Sequence, residues 1–291
     1  MAVTVDRAAR DLPLDAHLHT DLSHDSAVHI DEYGRLAVER GIAELAITDH
    51  VDFAPSAPGY GETTFEQCER IVREAAERWA EQGVAIRFGV EITWDSHYAN
   101  EIRDHLARNA YDFVIGSVHV YRESPYAADH VAGWVAGRSI AEIVAPYFDE
   151  VAAGARTGLF DAMGHIDFVK RFLVPHVTSA DLADTPELYE PILAALVESG
   201  TALEINTSGL RTPAQETFPS PAIVARFHDI GGRAVTVGSD AHTAESFAWA
   251  LGEGYESAAR AGFSSLAFRR GGGRVELDLT GAPNATAGRS L

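Results

Sequence analysis

Two histidines stand two residues apart in Asp15-Ala16-His17-Leu18-His19. On an extended segment, residues i and i+2 face one side, so both imidazoles can meet a single metal ion. An isolated His-x-His says little, but the pattern recurs. Ala-Ile-Thr-Asp-His ends a second apolar run with Asp49 and His50, and Phe-Gly-Val-Glu ends a third with Glu91, an acid where a core residue is expected. Ile-Gly-Ser-Val-His ends a fourth run with His119, and Met-Gly-His-Ile-Asp a fifth with His165 and Asp167. Val-Gly-Ser-Asp-Ala-His ends the last with Asp240 and His242, again two apart. Each alone could be a buried polar group satisfied by backbone. Six polar run-ends, nearly all imidazole or carboxylate, make six separate explanations of that kind improbable, and the joint reading is a metal cluster.

The apolar runs read as strands: Leu12–His17, Ala43–Thr48, Val84–Glu91, Phe113–His119, Phe160–His165, Ala202–Asn206 and Ala234–Asp240. Between them lie segments of helical period: Asp31–Arg40, Thr64–Gln82, Glu101–Asn109, Ser139–Thr157, Pro186–Ser199 and Pro219–Asp229. Thr64 with Gln67, and Ser139 with Glu142, have capping-box spacing, and Gly41, Gly83, Gly158 and Gly200 stand where helices end. Strand–helix alternation over the whole length predicts parallel strands with helical crossovers, in an α/β barrel of TIM-like type. In such a barrel the C-terminal strand ends share one mouth. Of the 13 histidines, His17, His19, His24, His50, His119, His165 and His242 fall at those ends or in the first loop, and would converge there. The other six (His29, His97, His105, His130, His176 and His228) read as solvated or locally hydrogen-bonded.

Composition sets the bounds. A chain of 291 residues allows one or two domains, and the absence of repeats or a low-complexity linker favours one. We expect the barrel over residues 1–270, a glycine turn at Gly271–Gly273, and a C-terminal segment over 271–291 that frays from Gly281 to Leu291. Hydrophobic residues make up 46%, enough for a large core. The net charge of −20 argues against nucleic acid as a main partner. One cysteine, Cys68, excludes an internal disulfide framework or a cysteine-rich zinc module. No apolar run approaches the ~18 residues of a membrane helix, and the N-terminus has no signal-peptide core. A cytoplasmic, soluble globular protein is the expectation; oligomeric state is left open.

From about Leu14 to Arg270 the chain resembles the polymerase-and-histidinol-phosphatase (PHP) superfamily, and within it the monofunctional histidinol-phosphate phosphatases. The resemblance rests on the elements His-x-His, Thr-Asp-His, Gly-x-Glu, Ser-Val-His, Gly-His-x-Asp and Gly-Ser-Asp-Ala-His in that order, and on Glu204–Arg211 (Glu-Ile-Asn-Thr-Ser-Gly-Leu-Arg), the Ile-Gly-Ser-Val-His strand and the Phe-Val-Lys-Arg after His165. It implies a distorted seven-stranded (β/α) barrel holding two to three divalent metals. The first metal would take His17, His19, Glu91 and Asp240. The second would share Glu91 and add His119 and His165. The third would take His24, His50 and His242, with Asp25 as the alternative to His24. Imidazoles with a few carboxylates suit zinc, iron or manganese, and a bridging carboxylate brings two cations to ~3.5–4 Å.

The resemblance implies hydrolysis of L-histidinol phosphate in histidine biosynthesis. Glu91 and Asp240 would act at the metals, and Asp167 is a candidate acid for the leaving oxygen. Arg211, after a strand-end loop, and Arg171, close behind His165, would bind the phosphoryl group through cationic forks. Lys170 reads as solvated, and Trp94 as a pocket wall or ordinary packing. The rival readings are a phosphoesterase acting on nucleotides or other small phosphates, and a non-catalytic metal-binding regulatory module. An amidohydrolase-type deaminase fits less well, because Ser117 and His119 stand where that chemistry wants a lysine.

Overall fold

Seven short apolar runs become seven parallel strands of one curved sheet. They run in the order β1 (Leu14–Leu18), β2 (Glu44–Ile47), β4 (Ala85–Thr93), β5 (Phe113–Ser117), β6 (Ala162–Met163), β7 (Ala202–Asn206) and β8 (Val235–Gly238). A two-residue strand, β3 (His50–Val51), continues the line of β2 along the longer β4 and sets His50 beside Glu91. The computed structural model describes residues 14–61, 63–270 and 273–279. Most barrel strands are buried on both faces, as parallel strands under helices must be. The result is a nearly closed TIM-like (β/α) barrel, as the alternation predicts.

The seam between β1 and β8 is closed by an irregular set of bonds. Asp240 N donates to His17 O at 2.9 Å, and His19 N donates to Ala241 O at 3.0 Å. The buried Asp15 carboxylate accepts from Ser239 N (2.8 Å) and Ser239 Oγ (2.6 Å), and Tyr33 OH donates to both His19 O (2.8 Å) and Ala241 O (2.9 Å).

The helices follow the sequence signals closely. Ser139 and Glu142 form a reciprocal capping box ahead of Ile140–Arg156, and Thr64 accepts from Gln67 N ahead of Phe65–Ala80. Gly41 and Gly200 end their helices in the left-handed region. The helix expected over Pro186–Ser199 is broken into a short turn, Pro186–Leu188, and a helix, Glu190–Ser199. Pro191 is tolerated in the first turn of a helix but not in its interior, so the helix starts afresh there.

A helix at Leu251–Arg260 and a hairpin of β9 (Ser265–Arg270) and β10 (Gly273–Asp278) are additions to the expected elements. The expected boundary at residue 270 therefore falls inside a paired hairpin. The Gly281–Leu291 tail lies outside the described residues. The hairpin covers the N-terminal end of the barrel: Phe268 packs on Phe113 at the start of β5, and Arg269 pairs with Asp161 just before β6 at 3.3 Å. The opposite end is left for the strand-end histidines.

Candidate metal centre and anion-binding rim

The end of β1 turns His17 and His19 to one side, and β8 delivers Asp240 across the seam. His17 Nε2 and His19 Nε2 lie 3.0 Å apart, and each is 3.4 Å from Glu91 Oε2. Asp240 Oδ1 is 3.7 Å from the first imidazole and 3.4 Å from the second. Donors around an ion at ~2.1 Å in a tetrahedron are about 3.4 Å from one another, so His17, His19 and Asp240 stand at the spacing of three corners of such a cage, with Glu91 near both imidazoles. Close approach of β1 and β8 needs glycine at 238: a Cβ there would lie 2.3 Å from that of His17. This accounts for the glycine in Val-Gly-Ser-Asp.

Glu91 divides its oxygens. Oε2 faces His17 and His19, while Oε1 lies 3.3 Å from His119 Nε2 and 3.0 Å from His165 Nε2. His165 Nδ1 is buried with no hydrogen-bond partner. His50 turns Nδ1 to Glu91 Oε2 at 3.0 Å and Nε2 to Asp25 Oδ2 at 3.3 Å. Asp25 Oδ2 is also 3.1 Å from His242 Nε2. Of the two neighbours weighed for this third group, Asp25 sits among the donors. His24 stands beside them on the cavity wall, 3.9 Å from Asp25 Oδ2. Donor chemistry and spacing fit divalent transition-metal ions.

A further layer orients these donors. Glu204, fully buried on β7, bonds His17 Nδ1 at 2.6 Å and accepts from His165 N at 2.8 Å. Asn206 Nδ2 and Ser208 Oγ each donate to Asp240 Oδ2 at 3.2 Å. Thr93 Oγ1 meets His119 Nδ1 at 2.9 Å and Tyr121 OH at 3.1 Å. A carboxylate on the far nitrogen of a ligating imidazole fixes its orientation and raises its basicity. Our sequence reading gives Glu204 no part in this, although an acid in the middle of Ala-Leu-Glu-Ile-Asn is the same anomaly that singled out Glu91.

Burial opposes every charge here, and the neighbours decide the outcome. Burial alone would raise the Glu91 carboxyl, but His17, His119 and His50 hold it well below the usual range. Asp240 is held low in the same way by His17, His19 and His242, and Asp25 by His242 and His50. Among the imidazoles, burial pushes His19 down, helped by His242 and His50, whereas Glu204, Glu91 and Asp240 overcome burial at His17 and raise it. The carboxylates are thus kept ionised in a buried site, the state in which they ligate metal.

Beside the cluster the surface turns cationic. Arg171 lines the cavity over the donors, next to Phe168 and across from Asp52 and Tyr121. It also lines an adjoining groove with Arg211, Ser208 and Trp249. Arg211 is anchored by Nη2, which donates to Ser239 O (3.0 Å) and Asp240 O (3.1 Å), and its guanidinium lies 5.5 Å from the Trp249 ring.

Two expectations need correction, and of the two readings of Trp94 the packing one holds. Asp167 is not at the mouth: it is buried, with Oδ2 2.6 Å from Lys170 Nζ and accepting from Ser220 N at 3.2 Å, and it does not line the cavity. Lys170, expected in solvent, is fully buried against Asp167 and Glu216. Trp94 is core packing, edge-on to Phe160 and against Gly154. His97 and His29 are exposed, and His105 is bonded to Tyr111, as expected for histidines away from the strand ends.

Fold and donor set together define a metal-ligating (β/α) barrel. Residues 15–208, more than half of the chain, match the PHP domain, and the chain belongs to that family. Asp240, His242 and Arg211 lie beyond the matched span, so their places in the site rest on the geometry above. A probable histidinol-phosphatase of Deinococcus radiodurans is 29% identical over 78% of this chain and 85% of its own length. A histidinol-phosphatase of Lactococcus lactis is 27% identical over 87% of this chain and 93% of its own. The fold matches the crystal structure of histidinol phosphate phosphatase from Lactococcus lactis, complexed with zinc, L-histidinol and phosphate. That match has a TM-score of 0.79 at 24% identity and covers 90% of this chain and 98% of the other.

Proposed function

We propose that this chain is a metal-dependent phosphomonoesterase that hydrolyses L-histidinol phosphate to L-histidinol and phosphate, in the cytoplasm, as a step of histidine biosynthesis. The observation that carries the reading is Glu91, whose two oxygens face two separate imidazole sets in a cavity that Arg171 also lines. That is the layout of a two-metal phosphoryl site. The curated relatives in Deinococcus radiodurans and Lactococcus lactis support the substrate.

His17, His19, Glu91 and Asp240 would hold one divalent ion, Glu91 with His119 and His165 a second, and Asp25 with His50 and His242 a third. Zinc, iron or manganese suits these donors. Bound ions there supply Lewis acidity toward the phosphoryl oxygens and make water a nucleophile near neutral pH. Glu204, through His17 and the His165 backbone, holds two donor sets in register. Arg171 and Arg211 offset the charge on the non-bridging phosphoryl oxygens, with Arg211 kept in place by two backbone carbonyls. Asp52 on the cavity wall gives a cationic alcohol an anionic neighbour. Asp167, paired with Lys170, is withdrawn as the acid for the leaving oxygen.

The test is phosphate release from a panel of esters by protein of measured metal content. L-Histidinol phosphate is expected to exceed aryl and sugar phosphates by at least ~10-fold in kcat/KM, about 1.4 kcal/mol of differential transition-state binding. A nucleotide or diester winning the panel overturns the substrate, and metal bound without phosphate release overturns the enzyme.

A further inference from the structure

The two arginines of the rim belong to different parts of the chain. Arg171 follows β6 in the helical turn Lys170–Leu173. Arg211 lies on an excursion after β7 that is pinched shut at its base, where Asn206 N donates to Phe218 O (2.8 Å) and Phe218 N donates to Asn206 O (2.9 Å). No strand pairing joins these excursions. Between them lies one buried cluster of charge: Lys170 Nζ is 2.6 Å from Asp167 Oδ2, 2.5 Å from Glu216 Oε1 and 3.1 Å from Ser179 Oγ. Lys170 adjoins Arg171 in sequence. Glu216 belongs to the excursion that carries Arg211, and its backbone oxygen packs so tightly on Gly209 that a Cβ there would come within 2.2 Å. Phe168 against Phe218 completes the contact.

Lys170 is fully buried and does not line the cavity, so it does not itself meet substrate. A buried ammonium held by one carboxylate of its own segment and one of the other favours a single arrangement of the two, because moving them apart takes Glu216 away and leaves Lys170 with Asp167 alone in the interior. We infer that Lys170 and Glu216 are positioning residues: their ion pair fixes the spacing of Arg171 and Arg211, and so the width of the anion site at the rim. The inference rests on the phosphatase reading of that site, although anion binding alone suffices to test it.

The experiment measures the dissociation constant of inorganic phosphate by calorimetry on metal-loaded protein, beside KM and kcat for a phosphate ester, for wild type, Glu216→Gln, Glu216→Ala, Arg211→Ala and the double variant Glu216→Ala with Arg211→Ala. Glu216→Ala is expected to weaken phosphate and raise KM ~10-fold, with kcat changed less than ~3-fold and metal content unchanged, because misplacement of a binding group is felt mainly where it binds. Glu216→Gln keeps an oxygen acceptor for Lys170 and recovers part of the loss. In an Arg211→Ala background Glu216→Ala adds little, as expected of a residue acting through its neighbour. Lys170→Met is the harsher variant, and the glutamate series stands if that protein fails to fold. A lower melting temperature in Glu216→Ala with unchanged phosphate affinity and KM overturns the inference, as does a full multiplicative loss in the double variant. Wild-type protein that binds phosphate but does not hydrolyse histidinol phosphate defeats the substrate reading alone, and the phosphate titrations still decide the role of Glu216.

Discussion

The donor cluster and the arginine rim share one end of the barrel and are built in opposite ways. Apart from Asp25, which lies in the loop after β1, the donors sit on or shortly after strands, are mostly buried, and are cross-braced by Glu204, Asn206 and Thr93. The arginines sit on excursions beyond the strands, and backbone carbonyls, aromatic faces and one buried ion pair hold them. A metal site tolerates little displacement, because bond lengths are fixed to tenths of an ångström. Anion binding by guanidinium forks accepts more. Strand ends supply the first kind of precision and loops the second.

Substitutions can test that contrast. The largest effect belongs to Glu91→Gln, which removes the charge that faces both imidazole sets. We expect metal to fall in two groups together and kcat/KM to drop by at least ~100-fold, beyond the usual cost of losing a ligand's support, as read by elemental analysis and initial rates. Glu204→Gln leaves every donor in place but weakens the brace on His17, and should cost ~10–100-fold in metal affinity, measured by chelator competition. A Glu204→Gln protein with wild-type affinity would make the brace mere packing. On the rim, Arg211→Lys keeps the charge and loses the fork. Its expected cost is ~10-fold in kcat/KM, about 1.4 kcal/mol, with metal content untouched. Loss of metal in that variant would erase the distinction between the two regions. The smallest effects separate two neighbours: Asp25→Asn should lower metal stoichiometry and slow turnover several-fold. His24→Asn should change kcat/KM by less than ~3-fold, a wall residue's share, and the reverse ranking would return the third group to His24.

The donor cluster was far more legible in the sequence than the rim. Polar residues ending apolar runs break the pattern at fixed places, and the period of two along a strand tells which of them share a face. That logic reaches His17, His19, Glu91, His119, His165, Asp240 and His242, and the glycines of Met-Gly-His and Val-Gly-Ser-Asp mark close approach. It applies equally to Glu204, whose strand was read only for its motif. Lys170 illustrates what a local pattern cannot carry. Beside Arg171 it looks like one more surface cation, and its burial depends on Glu216, 46 residues further along. Asp167 was misread for the same reason, since its partner is that lysine. Leu251–Arg260 and the β9–β10 hairpin escaped because their glycine and arginine content hides a short apolar face, which for the hairpin becomes clear only once Phe113 is there to receive Phe268.

The seam between β1 and β8 has a consequence for the order of events during synthesis. His17 and His19 emerge from the ribosome early, whereas Asp240 and His242 come more than two hundred residues later. The first cage is complete only when both halves have met. A nascent chain that has reached β7 holds most of the imidazoles but no closed ring in which to use them. Ion capture at that cage would therefore be a late event, and the captured ion would tie the first barrel strand to the last, like a clasp on a bracelet. Coordination energy at that point is folding energy.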